Sequence, residues 1–481
     1  MFLENVASPL CVAHKFMLGL FSTLDLAKRS MQTQMAAIQV TGQNIANVNT
    51  PGYSRQRADI TEALSVPIAN GLVGTGSQVV RIQQLVSDLM NGQIQSQNSS
   101  LGFQQGRQTA LQSTQDALNE ILANGPNGTG SSGLSSQLTN LFSALQAVAT
   151  SPNSTSARQS LVGAAQTLAN TFNQVSGKFS DLKSALNTSL NNDVDSANKF
   201  LTQIADLNAQ IADAEVSGGT ANDLRDRRGL ALENLGKLVN FSTSTDAKGQ
   251  INVNIGGQSL VSGRQLADTL KAYDAGGGQM LVQTTTGAAN LTLAGGTMQG
   301  TISARDGDLA TLQTKFDSLA SNLISAVNTV HGAGFSPSGT TGANFFTGSS
   351  AATISINSAL ANNPSLIQTS GSATAGGDNS VALQLAQLTS AAQAGLGNAT
   401  FGNFYGAAVA KIGTALNDAN AQVENQSAVG EMLATQRGAV SGVNLDEEMT
   451  NMISFQRAYT ASAELLKTVN QMIQVTLVMK S

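Results

Sequence analysis

"FNQVSGKFSDLKSALNTSLNNDVDSANKFLTQIADLNAQIADAEV" runs from Phe172 to Val216 without a proline. Proline breaks a helix by removing a donor and clashing with the preceding turn, so this stretch reads as one long helix or a closely joined pair, about 30 residues or more. Working outward, "LSSQLTNLFSALQAVA" places Leu134, Leu138, Leu141, Leu145 and Val148 at helical steps. "GPNGTGSSG" (Gly125–Gly133) and "TSPNST" (Thr150–Thr155) are breaks by glycine and proline content. Helical character thus extends, interrupted, from about Asp88 to Val239, preceded by strand-like alternation in "GSQVVRIQQL". This is the texture of a rod rather than of an enzyme pocket.

At Phe241 the texture changes. "FSTSTDAKGQINVNIGGQSLVSG" alternates at Ile251, Val253 and Ile255 and then turns on Gly256-Gly257, a hairpin signal. The spacing predicts a small antiparallel β domain over Phe241–Ser303, with Phe345–Gln368 as added strands and turns. Helix resumes at Asp308–Val330 and Val381–Ser390, and the chain closes on two long helices, about Phe404–Arg437 and Leu445–Met479, hinged at Gly438 and Gly442.

Each end of the chain carries an apolar stripe. From Met17 to Ile45 it comprises Leu20, Leu24, Ala27, Met31, Ile38 and Ile45. In the last helix Leu445, Met449, Met452, Tyr459, Ala463, Leu466, Ile473 and Leu477 form a heptad seam, with Gln456 and Asn470 as polar intruders. Asn444 or Ser441 can cap it, and Asp446, Glu447 and Glu448 suit the positive end of its dipole. Packing the two stripes together buries both, which brings the termini to one pole of a long molecule. Between stripe and body, "NIANVNTPGYSRQ" (Asn44–Gln56) ends the first helix: Asn47 and Asn49 tolerate left-handed geometry, Pro51 pushes Thr50 out of helical space, and Gly52 favours a tight turn before Tyr53.

The expected architecture is mainly α with a smaller inserted β domain, in an elongated rod. Its segments are an N-terminal extension (1–16) outside the periodic pattern, an arm and turn (17–62), and a helical domain in two parts (63–240 and 379–440). A β-rich segment (241–378) with an embedded helix (308–330) lies between those parts, and a C-terminal arm (441–481) closes the chain. Because periodicity begins at Met17 and the only cysteine, Cys11, precedes it, Met17 is the expected working start.

Charged residues make up only 11% of the chain, against about 25% in an average globular protein, so the ionisable groups that catalysis uses are scarce. A net charge of −5 argues against a nucleic-acid partner held through phosphates. One cysteine and two histidines, His14 and His331, build no metal-ligand spacing and call for no cofactor. No apolar run approaches the roughly 18 residues of a membrane span, and Glu4, His14 and Lys15 spoil a secretory leader. "GLVGTG" (Gly71–Gly76) lacks the Lys-Ser/Thr ending of a phosphate loop and reads as a turn. His331 reads as a helix-end residue, and the charge cluster "LRDRRGLALENL" (Leu224–Leu235) as a solvated, salt-bridged helix face.

"NIANVNTPGYSRQ" at one end and "SGVNLDEEMTNMISFQRAYTASAELLKTVNQMI" (Ser441–Ile473) at the other together resemble the bacterial flagellar axial proteins. Rod, hook and junction proteins share both motifs, so the middle selects among them. The helices from Leu101 to Val239 and the block "INVNIGGQSLVSG…GGTMQGTISARDGDL", ending at Leu309, resemble the flagellar hook-associated protein 1 family, the first hook–filament junction protein. The resemblance implies a non-enzymatic structural protein of the flagellum, exported by the type III apparatus without a cleaved signal peptide. It implies self-association in a ring, the hook protein and the second junction protein as neighbours, and an export chaperone on the C-terminal helix. The terminal arms become an inner coiled coil, with the β domain outermost. On that reading the assembly residues are Leu24, Met31, Ile38, Ile45, Asn47, Asn49, Pro51, Gly52 and Tyr53 on one arm, and Met449, Met452, Gln456, Tyr459, Leu466 and Ile473 on the other. Two alternatives stand beside it. Another axial protein, hook or distal rod, would have a middle made mainly of strands. A secreted cell-wall-degrading enzyme would need a carboxylate pair from among Asp246, Asp268, Asp274, Asp306 and Asp308.

Overall fold

A computed structural model describes residues 9–68, 71–118, 133–216, 218–246, 248–375 and 377–479. Residues 1–8, half of the N-terminal extension, and the Gly125–Ser132 part of the first glycine-rich break lie outside the described residues. The first described element is helix α1 (Pro9–Ala46), which runs from the extension into the arm. Two nested hairpins follow: β1 (Gln56–Glu62) pairs antiparallel with β4 (Ser77–Gln84), and β2 (Val66–Ile68) with β3 (Gly71–Val73). "GLVGTG" is therefore half strand, not only a turn.

Next come helices α2 (Asp88–Ala117), α3 (Leu134–Thr150), α4 (Thr155–Glu215) and α5 (Asn222–Leu238). The Phe172–Val216 stretch is the larger part of α4, a single helix of 61 residues and about 90 Å. The Ser154 hydroxyl caps its start by accepting from Ala157 N at 3.3 Å. Its buried residues keep three–four spacing for nearly its full length, and α4 serves two cores in succession. From Leu161 to Leu186 it packs in the helical core, and from Leu190 to Ile204 in the core of the β-bearing unit. That continuity makes the two units one rod.

The sheet is a four-stranded antiparallel meander of β5 (Ser242–Thr245), β6 (Ile251–Ile255), β7 (Gln258–Ser262) and β8 (Gln265–Leu266), beside the hairpin of β9 (Leu270–Asp274) and β10 (Met280–Thr284). Gly256 and Gly257, at φ +55° and +82°, make the two-residue turn between β6 and β7; only left-handed residues give that turn a twist matching the strands. Helix α6 (Gly296–Ser303), a π-helical turn (Ala304–Leu309) and α7 (Ala310–Gly332) lead back to the helical core. Within that turn the fully buried Arg305 ties Asn187 of α4, Met280 O of β10 and Asp306 together, each at 2.7 Å.

The 341–370 region departs from expectation. Strands β11 (Phe346–Thr347) and β12 (Ser355–Ile356) pair only with each other and do not extend the outer sheet. Phe345, Phe346, Ile354 and Ile367 pack in the helical core instead, around the end of α7. Their alternation carries local conformation but not which core receives it. After the short helices α8 (Ser358–Asn362) and α9 (Ser380–Gln387), the chain ends on α10 (Phe401–Ser441) and α11 (Leu445–Val478).

His331 ends α7 as expected, yet it is wholly buried rather than a solvent-facing cap. Its Nδ1 donates to Ala343 O at 2.7 Å and its Nε2 accepts from Gln368 N at 3.0 Å, an arrangement open only to the neutral ring. Burial pushes its pKa down to about 4, and Arg158 nearby adds to the effect. Because the unfolded chain binds this proton near pH 6.5, the contribution is complete above that pH and is lost as pH falls towards 4. Wild-type protein should therefore lose about 3 kcal/mol more than His331→Gln between pH 6.5 and 4. An equal loss of unfolding free energy in the two proteins, from denaturant titrations at pH 6.5 and 4, would refute this assignment.

Candidate assembly interface

The two terminal helices pack antiparallel: Ser30 Oγ lies 2.8 Å from Ser462 Oγ, while Asn44 Nδ2 donates to Glu448 Oε2 at 3.1 Å. On α11 the residues facing α1 are Glu448, Met452, Phe455, Tyr459, Ser462, Leu466, Val469, Ile473 and Thr476, all buried or half-buried and stepping four, three, four, three. Met452, Tyr459, Leu466 and Ile473 thus sit on the seam as read from the sequence. Its other half is rotated. Leu445, Met449 and Leu477 are 44–55% exposed, and the places assigned to Met449, Ala463 and Leu477 belong to Glu448, Ser462 and Thr476. Gln456 is exposed beside Met449, not an intruder in the seam.

On α1 the deepest residues are small or polar: Ala27, Thr33, Ala37, Val40, Thr41 and Asn44. Leu24, Met31, Ile38 and Ile45, the expected stripe, are half-buried along the flank of that seam. Alanine, serine and threonine let the helix backbones approach closely, and Met452 lies over Gly42. The opposite flank of α1 meets the β1–β4 hairpin, where Leu26 lies against Gly76 and Thr33 Oγ1 donates to Ser77 O at 3.0 Å.

The Asn44–Gln56 motif closes on itself and on α11. Asn44 makes every hydrogen bond its amide allows: Oδ1 accepts from Tyr53 OH (2.8 Å) and Gln56 N (2.9 Å), and Nδ2 donates to Gln56 O (2.8 Å) and Glu448 Oε2. Arg55 donates to Glu448 Oε1 at 2.7 Å and Glu447 Oε2 at 2.8 Å, and its backbone N to Ser441 O. Burial, with Asp226, Glu448 and Asp223 nearby, pushes the Tyr53 phenol up to about 12, so it remains a donor. Asn47 supports the turn by donating to Gln43 O and accepting from Thr50 Oγ1, whereas Asn49 and Pro51 are exposed. Gly52, at φ +79°, runs against Leu230 of α5. The opening motif therefore turns the chain by bonding within the subunit. Asn44, Arg55 and Glu448, which sequence reasoning left out of the site, carry that bonding.

Behind this turn lies a polar cavity of about 450 Å³, between Tyr53, Asp226, Glu233 and Arg437. Asp226 accepts from Ser54 N at 3.1 Å, and burial raises its pKa; Arg437 of α10 pairs with Glu233 of α5. The Leu224–Leu235 cluster is salt-bridged as expected, through Arg225 to Glu215 and Glu233 to Arg437, and Arg227 is exposed, but Arg228 departs from a solvated face. Arg228 is 5% exposed, bonds Asn208 Oδ1 at 2.8 Å and Gly249 O at 3.2 Å, and is pushed by burial down to about 10. The carboxylates considered for hydrolysis are each engaged locally. Asp246 and Asp274 accept from backbone N–H groups of their own turns, Asp268 accepts from Thr286 N and Gly287 N beyond β10, Asp306 pairs with Arg305, and Asp308 with Arg107.

Residues 116–346 match the family model described as the flagellar hook-associated protein FlgK helical domain. Residues 436–478 match the flagellar basal body rod FlgEFG protein C-terminal model, and 24–53 the flagella basal body rod protein model, which ends on Tyr53. Flagellar hook-associated protein 1 of Bacillus subtilis is 28% identical over 95% of this chain and 98% of its own length. Along nearly its whole length, then, the chain is similar to flagellar hook-associated protein 1. The Escherichia coli member is 25% identical over 93% of this chain and 98% of its own. The solved structure of the flagellar hook junction protein FlgK from Burkholderia pseudomallei shares the fold with a TM-score of 0.61 at 18% identity, over 72% of this chain and all of that one.

Proposed function

We propose that the chain builds a ring between hook and filament in which the paired arms line the inner wall and the β-bearing unit faces outward. The observation that carries this reading is the state of α11: of its 34 residues only Glu448 and Val469 are buried within the subunit. Met449, Met472, Val475 and Leu477 stand 50–59% exposed beside the seam. Apolar surface of that extent belongs in an interface, and neighbouring copies supply it, with the hook protein below and the second junction protein above. The interface residues on this reading are Leu24, Met31, Ile38 and Ile45 with the Asn47–Tyr53 turn, and Met449, Met452, Gln456, Tyr459, Leu466 and Ile473. Before assembly α11 is the natural seat of an export chaperone, and the chain travels through the type III apparatus without a cleaved signal. Its work is mechanical and not enzymatic. A hook or distal rod role is disfavoured by the long helices α2 to α5.

Deleting the gene should leave hooks without filaments and release flagellin into the medium, seen by electron microscopy and immunoblotting. Normal filaments on the deletion strain would overturn the reading.

A further inference from the structure

We propose that the Asn44–Tyr53–Arg55–Glu448 cluster is the register key of the terminal helix pair: it selects one axial alignment of α1 on α11 from several of similar packing. The seam above the cluster is a poor ruler. On α1 it consists of Thr23, Ala27, Ser30, Gln34, Ala37 and Thr41, small side chains apart from Gln34, whose buried Oε1 finds no partner and so gains nothing from the observed alignment, and α11 answers with a regular heptad. Sliding one helix by seven residues, about 10 Å, sets small residues against the same heptad positions again. Ser30 meets Ser462 in the observed alignment and would meet Phe455 or Val469 after such a slip.

The cluster cannot slip without loss. Asn44 is 1% and Glu448 2% exposed, and both are fully bonded. Moving α11 by a heptad strips the buried Glu448 carboxylate of both Asn44 and Arg55 and leaves one buried Asn44 N–H unpaired, a costly outcome in a low-dielectric seam. A single buried polar residue sets alignment in coiled coils for the same reason. Tyr53, Gln56 and Arg55 sit beyond the end of α1, so the key also ties the alignment to the body of the subunit. The consequence is positional: a slipped arm would present Met449, Met472 and Leu477 about 10 Å out of step with its neighbours.

Cysteine pairs read this alignment directly. In full-length protein carrying Cys11→Ser, Ser30→Cys is combined with Ser462→Cys, Phe455→Cys or Val469→Cys, and disulfide formation is followed on non-reducing gels. With the cluster intact, the Ser30→Cys/Ser462→Cys pair should form at least tenfold more product than either shifted pair. Adding Asn44→Ala and Glu448→Ala, both favourable in helices, should bring one shifted pair to within about threefold of it. Retention of the single native pair in that background would overturn the proposal. If the double variant links at no position, Asn44→Ala alone decides. Shifted links support the key, whereas the native link alone, or no link, overturns it. The last outcome would show that the cluster supplies pairing itself and not its alignment.

Discussion

Replacing Gly300 with alanine is expected to destabilise the protein by about 3 kcal/mol and to lower its melting temperature by roughly 3–4 °C. Gly300 lies on α6 where that helix crosses α2, and a Cβ there would collide with Phe103 O and come within 2.9 Å of Arg107 N. The crossing is glycine on both sides: a Cβ on Gly102 would overlap Lys237 O, and one on Gly106 would lie 2.5 Å from Thr297 O. These obstacles are backbone atoms within packed helices, so relief requires moving a helix, not a rotamer. Gly296, at φ +80°, faces the same problem against Leu238 O. The "GGTMQG" block thus marks the point where the β-bearing unit is clamped against α2. Gly163→Ala supplies the control, since that helical glycine has open space around it and should gain about 0.5–1 kcal/mol. Similar melting temperatures for Gly300→Ala and Gly163→Ala would show that the crossing is not tight in solution.

Leu466→Asp or Ile473→Asp should abolish filament formation while leaving the α4 core folded. Both residues lie on the half-buried side of α11 that faces α1. A carboxylate there costs about 2–4 kcal/mol, and repetition in every copy of a ring multiplies the penalty. Neither helical nor β-unit core includes α11, so the melting transition of the body should stay within a degree or two of wild type. A strain making normal filaments with either variant would exclude this stripe from the assembly.

Much of this was legible in the sequence. Three–four spacing and the absence of proline marked α4, paired glycines marked the β6–β7 turn, and Asn444 caps α11 by accepting from Asp446 N and Glu447 N. These are local facts, set by backbone sterics and hydrogen bonds within a few residues. The flagellar resemblance was legible too, because its motifs bracket the chain.

Other features were decided only when distant segments met. On α11 two adjacent apolar stripes are available, and periodicity weighs Met449, Ala463 and Leu477 as heavily as Phe455 and Val469. Only the presence of α1 selects the phase, and it selects Glu448 and Ser462 because Asn44 and Ser30 stand opposite to bond them. Arg228 looks solvated in a charged helix until Asn208 and Gly249 enclose it, and the glycines of α2 and α6 look like flexibility until they are crossed. The sequence by itself determined most of the helices, strands and turns, since those preferences are short-range, but not the strand in "GLVGTG" or helix α6 inside the expected β domain. Which face of each helix is buried, and where a charge or a missing side chain is required, depends on partners outside the local segment, 20 residues away for Arg228 and 404 for Asn44, and that the tertiary structure alone decided.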